Sequence, residues 1–142
     1  MKLYLASSLS PESRPNMYRA LEILRNLGHE VYAPVEHFID DAWSYSNREW
    51  GRLVFEADIS AINNSEAVVA LSNGRTGTTA GSSWEIGYSY GIRKKVVVVE
   101  LDEGVQSLMV SNGCHATVKG MEGLANYDFD SMPRSITESE QK

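Results

Sequence analysis

The run Lys95-Val-Val-Val-Val-Glu100-Leu101 constrains this chain more than any other segment. Four consecutive valines leave a strand no polar face, so both of its sides have to be covered. That is the condition of a strand inside a parallel sheet flanked by helices, whereas a half-solvated antiparallel strand alternates apolar and polar residues. The run is therefore expected in the middle of such a sheet.

The segments around it alternate between strand and helix patterns. Residues 2–7 form a short apolar strand, after which Ser10 is placed to cap a helix over 11–27 and Pro11 suits its first turn. Met17, Leu21 and Leu24 recur at helical spacing, Gly28 ends the pattern, and Glu30-Val-Tyr-Ala-Pro34 reads as a second strand. Residues 35–47 have no clear period and carry Glu36, His37, Asp40, Asp41, Trp43 and Tyr45, which reads as a loop. A helix over 48–63 with Val54, Phe55 and Ile62 on its buried face leads into the strand Ala67–Leu71, and the next helix runs from near Ser82 to near Gly91. A short helix within 105–113 and an edge strand over 116–119 follow, and Pro133–Lys142 is a polar tail expected to be mobile. With right-handed crossovers this order gives an α/β fold, a flavodoxin-like or Rossmann-like doubly wound parallel sheet of four or five strands. At 142 residues, 42% of them hydrophobic, one core and a single domain over 1–132 are expected.

Charge and ligand-type residues narrow the function. A net charge of -6 and a pI near 5.0 argue against a nucleic acid polymer or an anionic membrane as the main partner, so any bound phosphate must be held locally. The single Cys114 excludes an intrachain disulfide, and His29, His37 and His115 lack zinc-type spacing, so no metal is expected. The first residues read as a strand with no signal segment, and no apolar run reaches the roughly 20 residues that span a bilayer. A soluble, cytoplasmic, metal-free protein is the simplest expectation.

Glu85 is the leading candidate for chemistry. It lies in Thr76-Gly-Thr-Thr-Ala-Gly-Ser-Ser-Trp-Glu85, a loop of glycines and hydroxyls between a strand and a helix. Such a loop sits at the carboxyl edge of a parallel sheet, where open α/β folds bind small molecules. Ser82-Ser-Trp-Glu85 also fits a capping box, in which the carboxylate satisfies a helix-start amide. Gly77 and Gly81 would let backbone amides approach a ligand, while Gly87 and Gly91 would let the helix lie close to the sheet.

Asp58 falls on the apolar stripe of its helix, where a carboxylate is costly unless paired or used. It is either a satisfied or rim carboxylate, or an acid whose pKa is raised by burial and by a second carboxylate so that it donates a proton near neutral pH. Tyr4 sits in the first strand, just before its carboxyl end, and, should that strand neighbour the one leading to Glu85, its phenol could hydrogen-bond the carboxylate and hold its rotamer. Ser7, Ser8, Thr76, Thr78, Thr79, Ser82 and Ser83 cluster at the same edge. They either make local turns or converge on a sugar or phosphate at a helix N-terminus. Neither a Walker loop nor a dinucleotide fingerprint is present.

Together these residues resemble the nucleoside 2-deoxyribosyltransferase family. The matching pieces are Leu3-Tyr-Leu-Ala-Ser7, Glu56-Ala-Asp-Ile59, Trp84-Glu-Ile-Gly-Tyr88, Leu108-Met109 and Asn126-Tyr-Asp-Phe129, in order along nearly the whole chain. The resemblance implies that Glu85 attacks the anomeric carbon to form a glycosyl ester, Asp58 protonates the leaving base and Tyr4 orients the nucleophile. It implies no cofactor, a nucleoside or nucleotide and a nucleobase as partners, and a homo-oligomer in which segment 105–113 acts in trans. Gly81, Ser7 and Ser8 would line the sugar site.

Two positions depart from the transferase pattern. Thr79 stands where transferases of free nucleosides carry Asp, six residues before the nucleophile, and Ser107 stands where they carry Asn. Related 2'-deoxynucleoside 5'-monophosphate N-hydrolases have hydroxyl residues at both places and another at the position of Ser8. The spacing from Asp58 to Glu85 is closer to the transferases. Base exchange on 2'-deoxynucleosides is the leading reading, N-glycosidic hydrolysis of nucleoside 5'-monophosphates the alternative. The run before Glu85 also resembles the cytokinin-activating phosphoribohydrolases superficially, without their Pro-Gly-Gly signature. A non-catalytic nucleotide-binding module, the remaining class, would need the pocket but not Glu85 and Asp58 facing it.

Overall fold

The computed structural model describes residues 1–37, 42–73, 77–104 and 107–136. Its elements are β1 (Lys2–Ala6), α1 (Arg14–Asn26), β2 (Glu30–Tyr32), α2 (Asn47–Asn64), β3 (Ala67–Ser72), α3 (Ala80–Gly91), β4 (Lys95–Glu100), α4 (Leu108–Gly113), β5 (Ala116–Lys119) and α5 (Gly120–Asn126). Two short 3-10 turns, Pro34–Glu36 and Ala42–Ser44, interrupt the stretch read as a loop. The sheet order is β2-β1-β3-β4-β5 and every pairing is parallel. From β1 the chain winds first to one side and then to the other, so the switch point lies between β1 and β3.

Strand alternation divides the core into two layers. Leu3, Leu5, Val69, Val97 and Val99 face α1 and α5, packing with Met17, Leu21, Leu24 and Leu124. Tyr4, Val68, Ala70, Val96 and Val98 face the opposite side, with Ile62 of α2, Ile86 of α3 and Val110 of α4. β4 is covered on both faces as its valines require, but the middle strand is β3, because β5 adds outside β4.

Several local expectations change. α1 starts at Arg14 because residues 11–13 wind into a turn in which Ser13 N–H donates to the Ser10 carbonyl (3.0 Å), leaving Pro15 in the first helical turn. α3 starts two residues before Ser82, since the Thr79 hydroxyl caps it by accepting from Ser82 N–H at 3.2 Å. α3 buries Ser82, Ile86 and Ser89, which turns Gly87 and Gly91 outward, where an added Cβ would meet open space. The small residues that bring α3 close to the sheet are therefore its serines. On α2, Ile62 is buried but Phe55 is 52% exposed, lying edge-on to Trp84 at 5.2 Å. The start of the expected mobile tail is tied down: Thr117 N–H donates to the Ser135 carbonyl (2.6 Å) and Ile136 packs on the core, while 137–142 lie outside the described residues.

Leu24 is fully buried between α1 and the sheet, and Phe55 is not. Leu24→Ala is expected to lower the unfolding free energy by about 2–5 kcal/mol in urea denaturation, and Phe55→Ala by about 1 kcal/mol or less. Equal losses would contradict this division of the core.

Candidate functional site

Three elements deliver the candidate residues to the carboxyl edge at the β1/β3 switch point. β1 brings Tyr4, which points to the α2/α3 side because Leu3 and Leu5 take the other face, and then Ser7 and Ser8 in the loop beyond. The segment after β3 brings Thr79 as the cap of α3, Gly81 in its first turn and Glu85 in its second. α2 brings Asp58 one turn before the buried Ile62. Ser7, Ser8, Leu9, Pro34, Asp58, Thr79, Gly81, Ser82 and Glu85 line one pocket of about 280 Å³. Both carboxylates face it, which a module needing only a ligand cleft has no reason to arrange.

Because β1 pairs directly with β3, the Tyr4 hydroxyl reaches Glu85 and donates a short hydrogen bond to its carboxylate. The capping-box reading of Glu85 does not hold. Thr79 is the cap and Ser82 is already inside the helix; at the start of α2 the Ser46 hydroxyl makes the hydroxyl half of such a motif, accepting from Glu49 N–H (3.2 Å).

Burial dominates the electrostatics. It raises the Glu85 pKa to about 7, against the Tyr4 hydrogen bond, which favours the anion, while the nearby Asp58 charge raises it further. Burial likewise raises Asp58 to about 6, against the charge of His37 and hydrogen bonding from Tyr4. Tyr4, fully buried beside both, is pushed far up by desolvation and then by Glu85, so it stays a donor. Both carboxyls are thus raised toward neutral pH, a shift that clusters at functional sites.

The hydroxyl cluster is only partly directed at the pocket. Ser8 bonds Ser10 (3.1 Å), Ser10 bonds Ser13 (3.0 Å) and Thr78 bonds Ser83, so several make the local turns expected of loop hydroxyls. Ser107 caps α4 by accepting from Met109 N–H (3.3 Å) and does not line the pocket. Of the acidic and aromatic loop, Glu36 is held by Arg25 (2.6 Å), Trp43 is exposed, and Asp40 and Asp41 lie outside the described residues.

Two neighbours of the site were not singled out from sequence. Tyr32 stacks on Tyr4 (5.7 Å, 12°) and His37 stacks on Tyr32 (4.0 Å, 5°), making an aromatic wall next to the carboxylates. The available signal was a tyrosine near the end of each of the first two strands, since Tyr4 and Tyr32 are register partners. Among the described residues no group of three or more His, Cys, Asp or Glu side chains is placed to hold a metal ion, and no helix is long and apolar enough to cross a membrane.

The family model of nucleoside 2-deoxyribosyltransferases matches residues 3–130. Among solved structures, a 2-deoxyribosyltransferase from Bacillus psychrosaccharolyticus is 27% identical with a TM-score of 0.86, the match covering 97% of this chain and 100% of that one. A conserved protein from Enterococcus faecalis V583 is 24% identical with a TM-score of 0.61, over 99% and 92% of the two chains. A CMP N-glycosidase from Clostridium botulinum is 12% identical with a TM-score of 0.63, over 88% and 96%. The last two are similar in fold. No curated protein sequence matches the chain at a significant level.

The raised Glu85 pKa carries a stability consequence. Its contribution is fully present below the ordinary carboxyl value of 4.5 and is lost as pH rises through about 7, where the buried group ionises. Glu85→Gln keeps an oxygen to accept from Tyr4 and cannot ionise. The melting-temperature gain of this variant over the parent chain should be larger at pH 8 than at pH 5 by differential scanning calorimetry. A gain independent of pH would mean the carboxylate is not desolvated.

Proposed function

The chain belongs to the nucleoside 2-deoxyribosyltransferase family, and we propose that it cleaves the N-glycosidic bond of 2'-deoxynucleosides and transfers the 2-deoxyribosyl group to another nucleobase. The observation that carries this reading is that Glu85 and Asp58 face one pocket, with Tyr4 bonded to Glu85. A Glu85 oxygen attacks the anomeric carbon from the face opposite the base. The carbon–nitrogen bond breaks, its electron pair leaves with the base, and the Asp58 proton moves to the base nitrogen. A glycosyl ester of Glu85 remains. A second base then attacks the same carbon, releases the carboxylate and returns its proton to Asp58, so configuration is retained overall. Tyr4 is a positioning residue that fixes the Glu85 rotamer and favours its anion.

Productive attack needs one proton on the pair, and that proton on Asp58. Burial raises both carboxyls, and with Tyr4 beside both they titrate as one coupled pair. A base whose ring nitrogen accepts from Asp58 would favour the productive arrangement, and the Tyr4 hydrogen bond acts in the same direction from the Glu85 side.

The alternative reading is hydrolysis of nucleoside 5'-monophosphates, favoured by the hydroxyls Ser8 and Thr79 where a carboxylate would repel phosphate. Against it stands the likeness, at 27% identity over 97% of this chain, to a 2-deoxyribosyltransferase. For assembly, we propose a homo-oligomer: Trp84 stacks on Tyr88 (5.5 Å) beside Phe55 on an outer face, and Leu108 and Met109 are 78% and 82% exposed. Apolar surface of that kind marks association. Ser107 would then meet the site of a neighbouring copy.

Glu85→Ala should abolish base release from deoxyadenosine while circular dichroism stays that of the folded chain. Full activity would sink the mechanism. In the parent chain, deoxyadenosine plus cytosine should yield deoxycytidine by chromatography, whereas deoxyribose 5-phosphate and adenine from deoxyadenosine monophosphate would instead establish nucleotide hydrolysis.

The pH profile of kcat/KM should be bell-shaped with limbs near 6 and 7. Rate falls below it as both carboxyls are protonated and the nucleophile is lost, and above it as both are ionised and the acid is lost. Tyr4→Phe removes a bond that lowers the pKa of both groups, so both limbs should move to higher pH with a reduced kcat. An unmoved profile would remove Tyr4 from the mechanism.

A further inference from the structure

A second cavity opens at the amino edge of the sheet, at the other end of β4 from the catalytic pocket. It holds about 410 Å³ between the end of α3, the start of β4, the end of α4 and the segment after α5. β4 has six residues, so about 17 Å of strand separates the two edges. Arg93, Lys94, Lys95 and Arg134 line this cavity, four of the chain's 13 lysines and arginines. Among the described residues, no Asp or Glu lines it and none of these four cations is paired with a carboxylate. This is unexpected in a chain of net charge -6. Surplus carboxylates are available, yet one concave surface collects a single positive sign, an arrangement that concentrates anions.

Backbone geometry points the same way. Arg93 follows the C-cap of α3 with φ 61, the left-handed conformation that glycine adopts without strain. The turn is held by Arg93 N–H to the Tyr90 carbonyl (3.0 Å) and Lys94 N–H to the Ser89 carbonyl (2.8 Å), which fixes the backbone from which the Arg93 side chain leaves. Lys94 is anchored as well, its Nζ donating to the carbonyls of Ile62 (2.7 Å) and Asn63 (3.0 Å). Its ammonium is thus held at the end of α2, whose residues do not line the cavity. Tyr90, 66% exposed at the mouth, offers a ring face to a planar group.

We propose that this cavity is a binding site for an organic polyphosphate of nucleotide size, separate from the pocket that holds Glu85 and Asp58. Lys95, Arg93 and Arg134 hold the phosphates through charge-assisted hydrogen bonds, and Tyr90 covers the ring. The volume lies within the range of small-ligand sites. The site does not depend on the transferase reading, since none of its residues belongs to that machinery.

Backbone amide NMR of the full chain, titrated separately with inorganic pyrophosphate, ADP and adenosine, tests it. ADP and pyrophosphate should shift amides at 90–96, 112–115 and 134, ADP more tightly, while adenosine leaves these unshifted. Shifts confined to 7–9 and 79–85, no shifts at millimolar pyrophosphate, or adenosine acting here as strongly as ADP would each overturn the proposal. Lys95→Ala combined with Arg134→Ala should weaken ADP at this site about tenfold or more and leave base release without ADP unchanged. Arg134→Ala alone, on an exposed side chain, gives the same direction should the double variant not fold; unchanged ADP affinity in a folded variant counts against the site.

Discussion

The hydrogen bond from the Tyr4 hydroxyl to the Glu85 carboxylate spans the joint on which this molecule depends. One partner rises from a fully buried strand, and the other comes from a helix whose start is set by Thr79. The bond requires β1 to lie against β3, and the parallel order β2-β1-β3-β4-β5 meets that requirement at the point where the winding reverses. It also requires the phase of α3. With Thr79 as cap, Ser82, Ile86 and Ser89 turn to the sheet and Glu85 turns to the cleft beside them.

Two carboxyl groups half-hidden in a small protein oppose folding once ionised, and their raised pKa values measure that opposition. The rest of the fold offsets it. Val96 to Val99 and the central β3 are buried on both sides, and α1 adds Met17, Leu21 and Leu24 to one layer. Stability given up to hold such groups is a common feature of functional sites. The molecule is electrically two-ended: a pair of carboxyls at the carboxyl edge of the sheet and, among the described residues, a group of cations without a carboxylate partner at the amino edge.

Much of this was legible along the chain. Four successive valines imply a strand covered on both faces, and the spacing of Met17, Leu21 and Leu24 implies a helix against it. Glu85, Asp58 and Tyr4 stand out because carboxylates and hydroxyls occupy places where pattern expects apolar or cap residues. Less legible were the exact phases of the helices. Ser82 and Glu85 satisfy a capping motif as text, but a hydroxyl three residues earlier captured the same amide. Phe55 and the pair Gly87 and Gly91 fit a buried stripe within a few tens of degrees, and that small rotation decided that they face out.

Local sequence determined which segments are strands and helices, that the sheet is parallel, and which carboxylates and hydroxyls break the apolar pattern, because these follow from periodicity, caps and functional groups within one turn or strand. Tertiary structure alone decided that Tyr4 meets Glu85, that Tyr32 stacks on Tyr4 and His37 on Tyr32, that Ser107 stands away from the cleft, and that Arg93, Lys94, Lys95 and Arg134 share a cavity. The physical reason is strand order. Residues 81 apart in sequence touch only when β1 and β3 pair, and burial shifts the carboxyl pKa values only once α2 and α3 close over them.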